Sequence, residues 1–301
     1  MASCDFETFR QYLVGLELSE RTIKGYLTDL TIFARWFEQT NEEGLSPQSL
    51  TPTDIREYKQ YLLVVQKAKA TTINRHLSAL RAYGNWARFA GVIAYNPVDG
   101  IKSIDQQSHA PKWLDRKQQA AIIREAERRV QSAKTEAGKR QAIRDHCILI
   151  VLLNTGLRVS ELVALEMTDI SLSERKGELR VRLGKGTKQR VVPVNDTARK
   201  ALKAWYEVRP DIKTQRVFIT QRGPATVRAI QSILEDLGKD THIEKFTPHM
   251  ARHSFAKNLV NSGVTLEKVA MLLGHSSLNT TMVYTTPGMS DLDRAVRTLD
   301  G

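Results

Sequence analysis

Four segments in the second half of the chain concentrate side chains able to do chemistry. They are TGLRVSELVAL (155–165), GKGTKQRVVPV (184–194), TPHMARHSFAKNL (247–259) and LLGHSSLNTTMVYT (272–285). Their reactive groups are Arg158 and Glu161, Lys185, then His249, Arg252 and His253, then His275 and Tyr284. As a set they suit phosphoryl transfer without a metal or other cofactor. Two guanidiniums can take the non-bridging oxygens of a phosphodiester as charge develops. A phenol can attack phosphorus if a neutral imidazole accepts its proton. A lysine ammonium can protonate the departing sugar oxygen. No Walker lysine motif supplies nucleotide energy, so the energy of the broken bond would stay in a covalent link to the enzyme.

Each segment also has a plainer reading. His249 and His253 stand at zinc-ligand spacing, but Met250 replaces the glutamate of the metalloprotease helix motif. Thr247 and Pro248 read as N-cap and first turn, which puts His249, Arg252 and His253 on one face of a helix start, a natural anion site. Arg158 follows a Thr-Gly turn and has Glu161 one helical turn on; a surface ion pair fits that segment as well as a functional arginine does. Lys185 lies between two glycines at the tip of a hairpin, where, taken alone, a turn built for shape is the readier explanation. His275 is alone in its segment. Tyr284 can be a packed aromatic or the nucleophile.

Composition favours a polyanionic partner. Lys and Arg number 45 against 33 Asp and Glu, a net charge of +12 over 301 residues. An excess of this size favours nucleic acid through release of condensed counterions. No apolar run is long enough to span a bilayer, and the acidic N-terminus does not read as a signal peptide. The two cysteines, Cys4 and Cys147, form no disulfide framework, and Cys147 reads as core.

The elements that must position these groups follow from periodicity. The first hundred residues read as about four helices. SERTIKGYLTDLTIFARWFEQT has Ser19 as N-cap and apolar residues at Ile23, Leu27, Leu30, Ala34 and Phe37. TPTDIREYKQYLLVVQ follows, and ATTINRHLSALRAYGNWARFAG ends at Gly91. A polar, aperiodic stretch divides the chain into residues 1–104, a linker at 105–112, and residues 113–301. The second part should open with a helix near 115–129 and continue through a charged connection at 130–141 to a buried helix ending at TGLR. ELRVRL and RVVPV alternate about GKGTKQ, which predicts a β-hairpin, with a short strand at 217–220. Helices are predicted at 226–237, 247–262, 265–273 and 277–284. The fold class is thus mainly α, with a small antiparallel sheet in the second domain. Basic residues Lys67, Lys69, Arg75, Arg81 and Arg88 lie on or beside one helix of the first domain, and Arg21 and Lys24 begin another. They fit a solvated helix face or a helix laid along a DNA backbone.

These motifs, in this order, resemble the tyrosine recombinases, or phage integrase family, and most of all its Xer-like and transposon-resolving members. The resemblance runs from about residue 3 to 290. The family pattern is an arginine in TGLR, a lysine in a hairpin, His-x-x-Arg, a second histidine in LGH, and a nucleophilic tyrosine. It falls here on Arg158, Lys185, His249, Arg252, His275 and Tyr284, with Glu161 at an acidic position. Ala251 stands where leucine is usual, and Lys188 competes with Lys185 for the lysine role. The resemblance implies that His253 packs behind the phosphate site without reacting. It implies a SAM-like core-binding domain and a catalytic domain closing as a C-shaped clamp on duplex DNA at an inverted-repeat core site. It implies a 3′-phosphotyrosine link, strand exchange through a Holliday junction, a dimer on each site, and a tetramer held by the C-terminal segment. Residence in the cytoplasm with the nucleoid goes with that reading. No arm-binding domain precedes the first helices, which points to a simple recombinase. A topoisomerase that nicks and reseals, and a DNA-binding protein without catalysis, are the competing functions.

Overall fold

The computed structural model describes residues 6–105, 111–182, 189–275 and 277–285. The chain divides into two compact units, Met1–Ser108 and His109–Gly301.

Among the described residues, the first unit holds four helices: α1 (Glu7–Gly15), α2 (Glu20–Asn41), α3 (Pro52–Val64) and α4 (Ala70–Phe89). Local chemistry sets their ends. The Ser19 hydroxyl accepts from the Thr22 amide at 3.1 Å and starts α2. Thr51 and Asp54 cap α3 reciprocally around Pro52. Gly91, with φ of +70°, turns the chain after α4. The apolar stripes meet in a core that includes Phe9, Leu30, Phe33, Ile55, Ile73 and Leu77. Tyr58 and His76 are buried in the same interior, with Tyr58 Oη 3.1 Å from His76 Nδ1.

The second unit is built around α6 (Glu136–Thr155), whose run from Cys147 to Leu153 is buried throughout. It is preceded by α5 (Arg116–Ser132) and followed by the short α7 (Val159–Ala164). A three-stranded antiparallel sheet comes next, in the order β1 (Ile170–Leu172), β2 (Gly177–Val181), β3 (Arg190–Pro193). Leu179 pairs with Val192 and with Ile170, so the alternating faces of β2 place Leu179 and Val181 in the core. Helix α8 (Asp196–Val208) covers α6, and a two-stranded pair, β4 (Ile219–Thr220) and β5 (Gly223–Pro224), leads to α9 (Val227–Asp240). Then come α10 (Pro248–Asn261), α11 (Leu266–Leu273), α12 (Asn279–Met282) and a 3₁₀ turn at Val283–Thr285. No helix among the described residues is long and apolar enough to cross a membrane.

The fold is the expected one, with several local differences. The charged connection expected at 130–141 is mostly helix: α5 runs to Ser132, and Thr135 caps α6 by accepting from the Gly138 amide at 3.0 Å. Helix α8 was not among the expected elements, although Asn195 caps it and Ala198, Leu202 and Trp205 give it a buried face at helical spacing. Strand β1 is too short to show a period of two, so it emerges only by pairing with β2. The last expected helix, 277–284, is one helical turn and a 3₁₀ turn, because Asn279, Thr280 and Thr281 favour helix weakly. The hairpin tip at 183–188, most of the linker and the C-terminal 286–301 lie outside the described residues.

Candidate active site

The site is assembled where the ends of several elements of the second unit converge. Helix α6 ends at Gly156, whose φ of +62° turns the chain immediately before Arg158. Arg158 is the N-cap residue of α7, and the Glu161 carboxylate accepts its backbone N–H at 2.7 Å. The same carboxylate accepts from Arg158 Nη1 at 2.9 Å, and Arg158 Nη2 donates to the Gly274 carbonyl at 3.1 Å. Arg158 is thus oriented at both ends of its guanidinium, yet its side chain keeps 37 % exposure.

Arg252 stands on the buried face of α10. Its two terminal nitrogens donate to the carbonyls of Gly156 and Leu273, each at 2.8 Å. These carbonyls lie at the C-terminal ends of α6 and α11, where partial negative charge attracts a cation. Burial, then the neighbouring Arg158, lowers the Arg252 pKa to about 10, against the pull of Glu161. It therefore remains charged at neutral pH.

Sequence reading missed Arg190 at the start of β3. Its fork donates to both Glu161 oxygens, at 2.9 and 2.7 Å, and its Nε donates to the Leu272 carbonyl at 3.0 Å. Its side chain is only 10 % exposed. Glu161 consequently gathers Arg158 and Arg190 directly, with Arg252 Nη1 3.9 Å from one of its oxygens. Burial by itself would raise the Glu161 carboxyl, but the hydrogen bonds from Arg190 and Arg158 outweigh it and hold the group below its ordinary value. The signal in the sequence was an arginine opening an otherwise apolar strand, RVVPV, where an outward side chain was the simpler reading.

Tyr284 closes the site in the 3₁₀ turn. It is 1 % exposed and packs with Phe255, Ala256, Val269 and Leu273. Its Oη lies 2.8 Å from His253 Nδ1. One position after Arg252 on α10, the His253 ring faces the tyrosine turn and touches the phenol. Burial, then His249 and Arg252, lowers the His253 pKa to about 4, so the imidazole is neutral at pH 7 and, in the tautomer protonated at Nε2, accepts the phenolic proton at Nδ1. Burial raises the Tyr284 pKa, while Arg252 and Arg158 pull it down. His275 follows Gly274 at the end of α11. Its ring stacks on Tyr284 with centroids 6.5 Å apart and planes 13° apart, and its Nδ1 lies 2.8 Å from the Thr281 hydroxyl. Burial and the three arginines lower its pKa to about 4 as well. His249 is exposed in the first turn of α10, with its ring 6.5 Å from that of His253. Lys185 and its competitor Lys188 lie outside the described residues.

Residues 112–290 match the phage integrase family, and residues 6–87 match the N-terminal SAM-like domain of phage integrases. The chain belongs to the phage integrase family. It is 32 % identical over 288 residues to the tyrosine recombinase XerD of Listeria monocytogenes, spanning 93 % of this chain and 92 % of that one. It is also 32 % identical over 277 residues to the tyrosine recombinase XerC of Thermodesulfovibrio yellowstonii, spanning 89 % of this chain and 86 % of that one. Its fold is similar to the XerH site-specific recombinase bound to palindromic difH substrate, with a TM-score of 0.75, 21 % identity, and coverage of 93 % and 80 %. It is similar also to the Tn1549 transposon integrase in complex with transposon right end DNA, with a TM-score of 0.73, 20 % identity, and coverage of 98 % and 99 %. This phage integrase chain is therefore a tyrosine recombinase by descent as well as by motif.

The basic residues singled out in its first unit differ in their settings. Arg21, Lys24 and Arg75 line one recess between α2 and α4, and Arg75 Nη2 lies 3.0 Å from the buried Asp29 carboxylate. Lys67, Lys69 and Arg88 are exposed around α4. Arg81 lies on α4 with a different neighbour. It is half-buried and donates to the Ile101 carbonyl at 3.1 Å, because its position on α4 faces the segment that follows the helix.

Proposed function

We propose that the protein is a site-specific DNA recombinase that cuts and rejoins duplex DNA with Tyr284 as nucleophile. The observation that carries this reading is the Tyr284 phenol 2.8 Å from a neutral His253, beside Arg158, oriented by Glu161, and Arg252, held by the Gly156 and Leu273 carbonyls. Tyr284 Oη attacks phosphorus and its proton passes to His253 Nδ1. The P–O5′ bond breaks, Lys185 protonates the departing oxygen, and a 5′-hydroxyl leaves. Arg158 and Arg252 balance the charge that builds on the non-bridging oxygens. His249 and His275 add hydrogen bonds to the phosphate. The 5′-hydroxyl of a second duplex then attacks the 3′-phosphotyrosine and rejoins the strands. Tyr284 is 1 % exposed, so its phenol must turn outward to reach a phosphate.

Both units meet the duplex, the first through Arg21, Lys24, Arg75 and the exposed basic residues of α4. An inverted-repeat core site takes two protomers, and two such sites give a tetramer through the C-terminal segment, which lies outside the described residues. The reaction places the protein with the nucleoid in the cytoplasm. Covalent capture tests the reading. Wild type and Tyr284→Phe are expressed, non-covalent complexes are removed with denaturant, and attached DNA is sequenced. Adducts in wild type alone, at a shared inverted repeat, are the expected result. Adducts scattered without a shared sequence would favour nicking and resealing without exchange, and equal adducts in both proteins would remove Tyr284 from its role.

A further inference from the structure

The cycle above uses His249, Arg252 and His253 of α10 but leaves its lysine unused. Lys257 is a lysine only 4 % exposed, one turn beyond His253 on the same helix. A buried ammonium is costly unless it is paired or hydrogen-bonded, and an apolar side chain of similar length would fill the space with no desolvation cost. Two of its contacts show what the position provides. Lys257 Nζ donates to the Tyr284 carbonyl at 3.3 Å, and it sits over the Trp113 ring, 5.1 Å from the centroid.

α10 therefore grips Tyr284 twice: His253 meets the phenol and Lys257 meets the backbone. The grips differ in kind. The phenolic bond must break for attack, whereas the carbonyl bond can persist throughout. The turn that carries Tyr284 is three residues of 3₁₀ helix after a single turn of α12, so it has little rigidity of its own. The other side of Lys257 is firmly fixed. Ser254, on the same helix, accepts the Leu114 amide at 2.8 Å, and Asn258 and Gln119 exchange amide hydrogen bonds at 2.9 and 3.3 Å.

We infer that Lys257 is a positioning residue: it anchors the Tyr284 backbone to α10 and to Trp113, so that the phenol swings to the phosphate about a fixed pivot. The inference rests on the assignment of Tyr284 as nucleophile. Without the pivot the oxygen arrives off line, and a displacement of about 1 Å at a reacting atom can cost about a hundredfold in rate.

Lys257→Met tests it, since methionine keeps the apolar stem but removes the donor and the charge. Two readouts are used. In the DNA-free full chain, 3-fluorotyrosine at position 284 should give one sharp fluorine resonance in wild type and a broadened or split one in Lys257→Met. On the duplex recovered by covalent capture, Lys257→Met should cleave about tenfold or more slowly, in line with losing one charge-assisted hydrogen bond, at unchanged DNA affinity and undiminished melting temperature. Lys257→Arg should recover most of the rate. Combining Lys257→Met with Trp113→Leu should cost no more than Lys257→Met alone, because both act through one contact. Cleavage by Lys257→Met at the wild-type rate with an unchanged resonance would overturn the inference. So would a parallel loss of rate, affinity and melting temperature, which would mark Lys257 as plain framework. A wild type that forms no adduct overturns the proposed function instead, and this inference with it.

Discussion

Replacing Glu161 by Gln keeps shape and volume, yet it should be among the most damaging isosteric changes in the second unit. Glu161 accepts four hydrogen bonds: one oxygen takes Arg158 Nη1 and Arg190 Nη1, the other takes the Arg158 amide and Arg190 Nη2. A glutamine has one acceptor oxygen. Whichever way it turns, two of these bonds vanish and an NH₂ group faces two donors. The negative charge that screens three arginines from one another vanishes as well. Breaking a buried ion pair from one side costs about 3–5 kcal/mol. Arg158 is more than a third exposed, so the lower end, about 3 kcal/mol, is the appropriate figure. For a unit of this size that is a fall in Tm of about 6–12 °C by scanning calorimetry at pH 7. The effect should depend on pH with a definite sign. The folded-state pKa of Glu161 is depressed below its ordinary 4.5, so its contribution is complete above that pH and is lost as pH falls through the folded value. Wild type and variant should therefore converge in acid. A Tm change under about 2 °C at pH 7, or a gap that widens on acidification, would refute the view of Glu161 as the hub of the arginine cluster.

Other consequences can be checked separately. Gly274→Ala should destabilise by about 1–2 kcal/mol in urea denaturation, because φ is +65° and a Cβ there would lie 2.8 Å from Arg190 Nη1; an unchanged midpoint would contradict this. Arg158→Ala or Arg252→Ala should slow covalent adduct formation by about 10²–10³, and a loss below about tenfold would remove that arginine from the phosphate. His76, His253 and His275 have folded pKa values near 4 against an ordinary 6.5, so stability should fall between pH 6.5 and 4 as the unfolded chain takes up protons first. Denaturation at pH 7 and pH 5 measures this, and His253→Asn should reduce the difference. DNA affinity should drop steeply with salt in a titration, and a flat profile would argue against phosphate contacts.

Periodicity and caps were enough for most elements. Ser19, Thr51 and Thr247 each accept a backbone amide of the first turn, as the local sequence implies. Short elements were less legible: β1 has three residues and β4 and β5 two each, below the length at which alternation carries a signal. Helix α8 was legible but overlooked, since Ala198, Leu202 and Trp205 already form a helical stripe.

The candidate site divides along the same physical line. Motif residues such as Arg158, Arg252, His275 and Tyr284 are readable from sequence because each sits at a local device, a turn, a cap or a helix start, that its neighbours encode. Arg190 and Lys257 have no such local device. Arg190 matters because β3 brings it to Glu161, 29 residues away, and Lys257 because α10 brings it to the carbonyl of Tyr284, 27 residues on. The contact between His253 and the phenol is likewise tertiary. The sequence by itself determined the helical class, the family and the candidate reactive groups. Only the tertiary structure decided which arginine steadies Glu161, which histidine meets the tyrosine and what holds its backbone, because those contacts join residues that no local spacing relates.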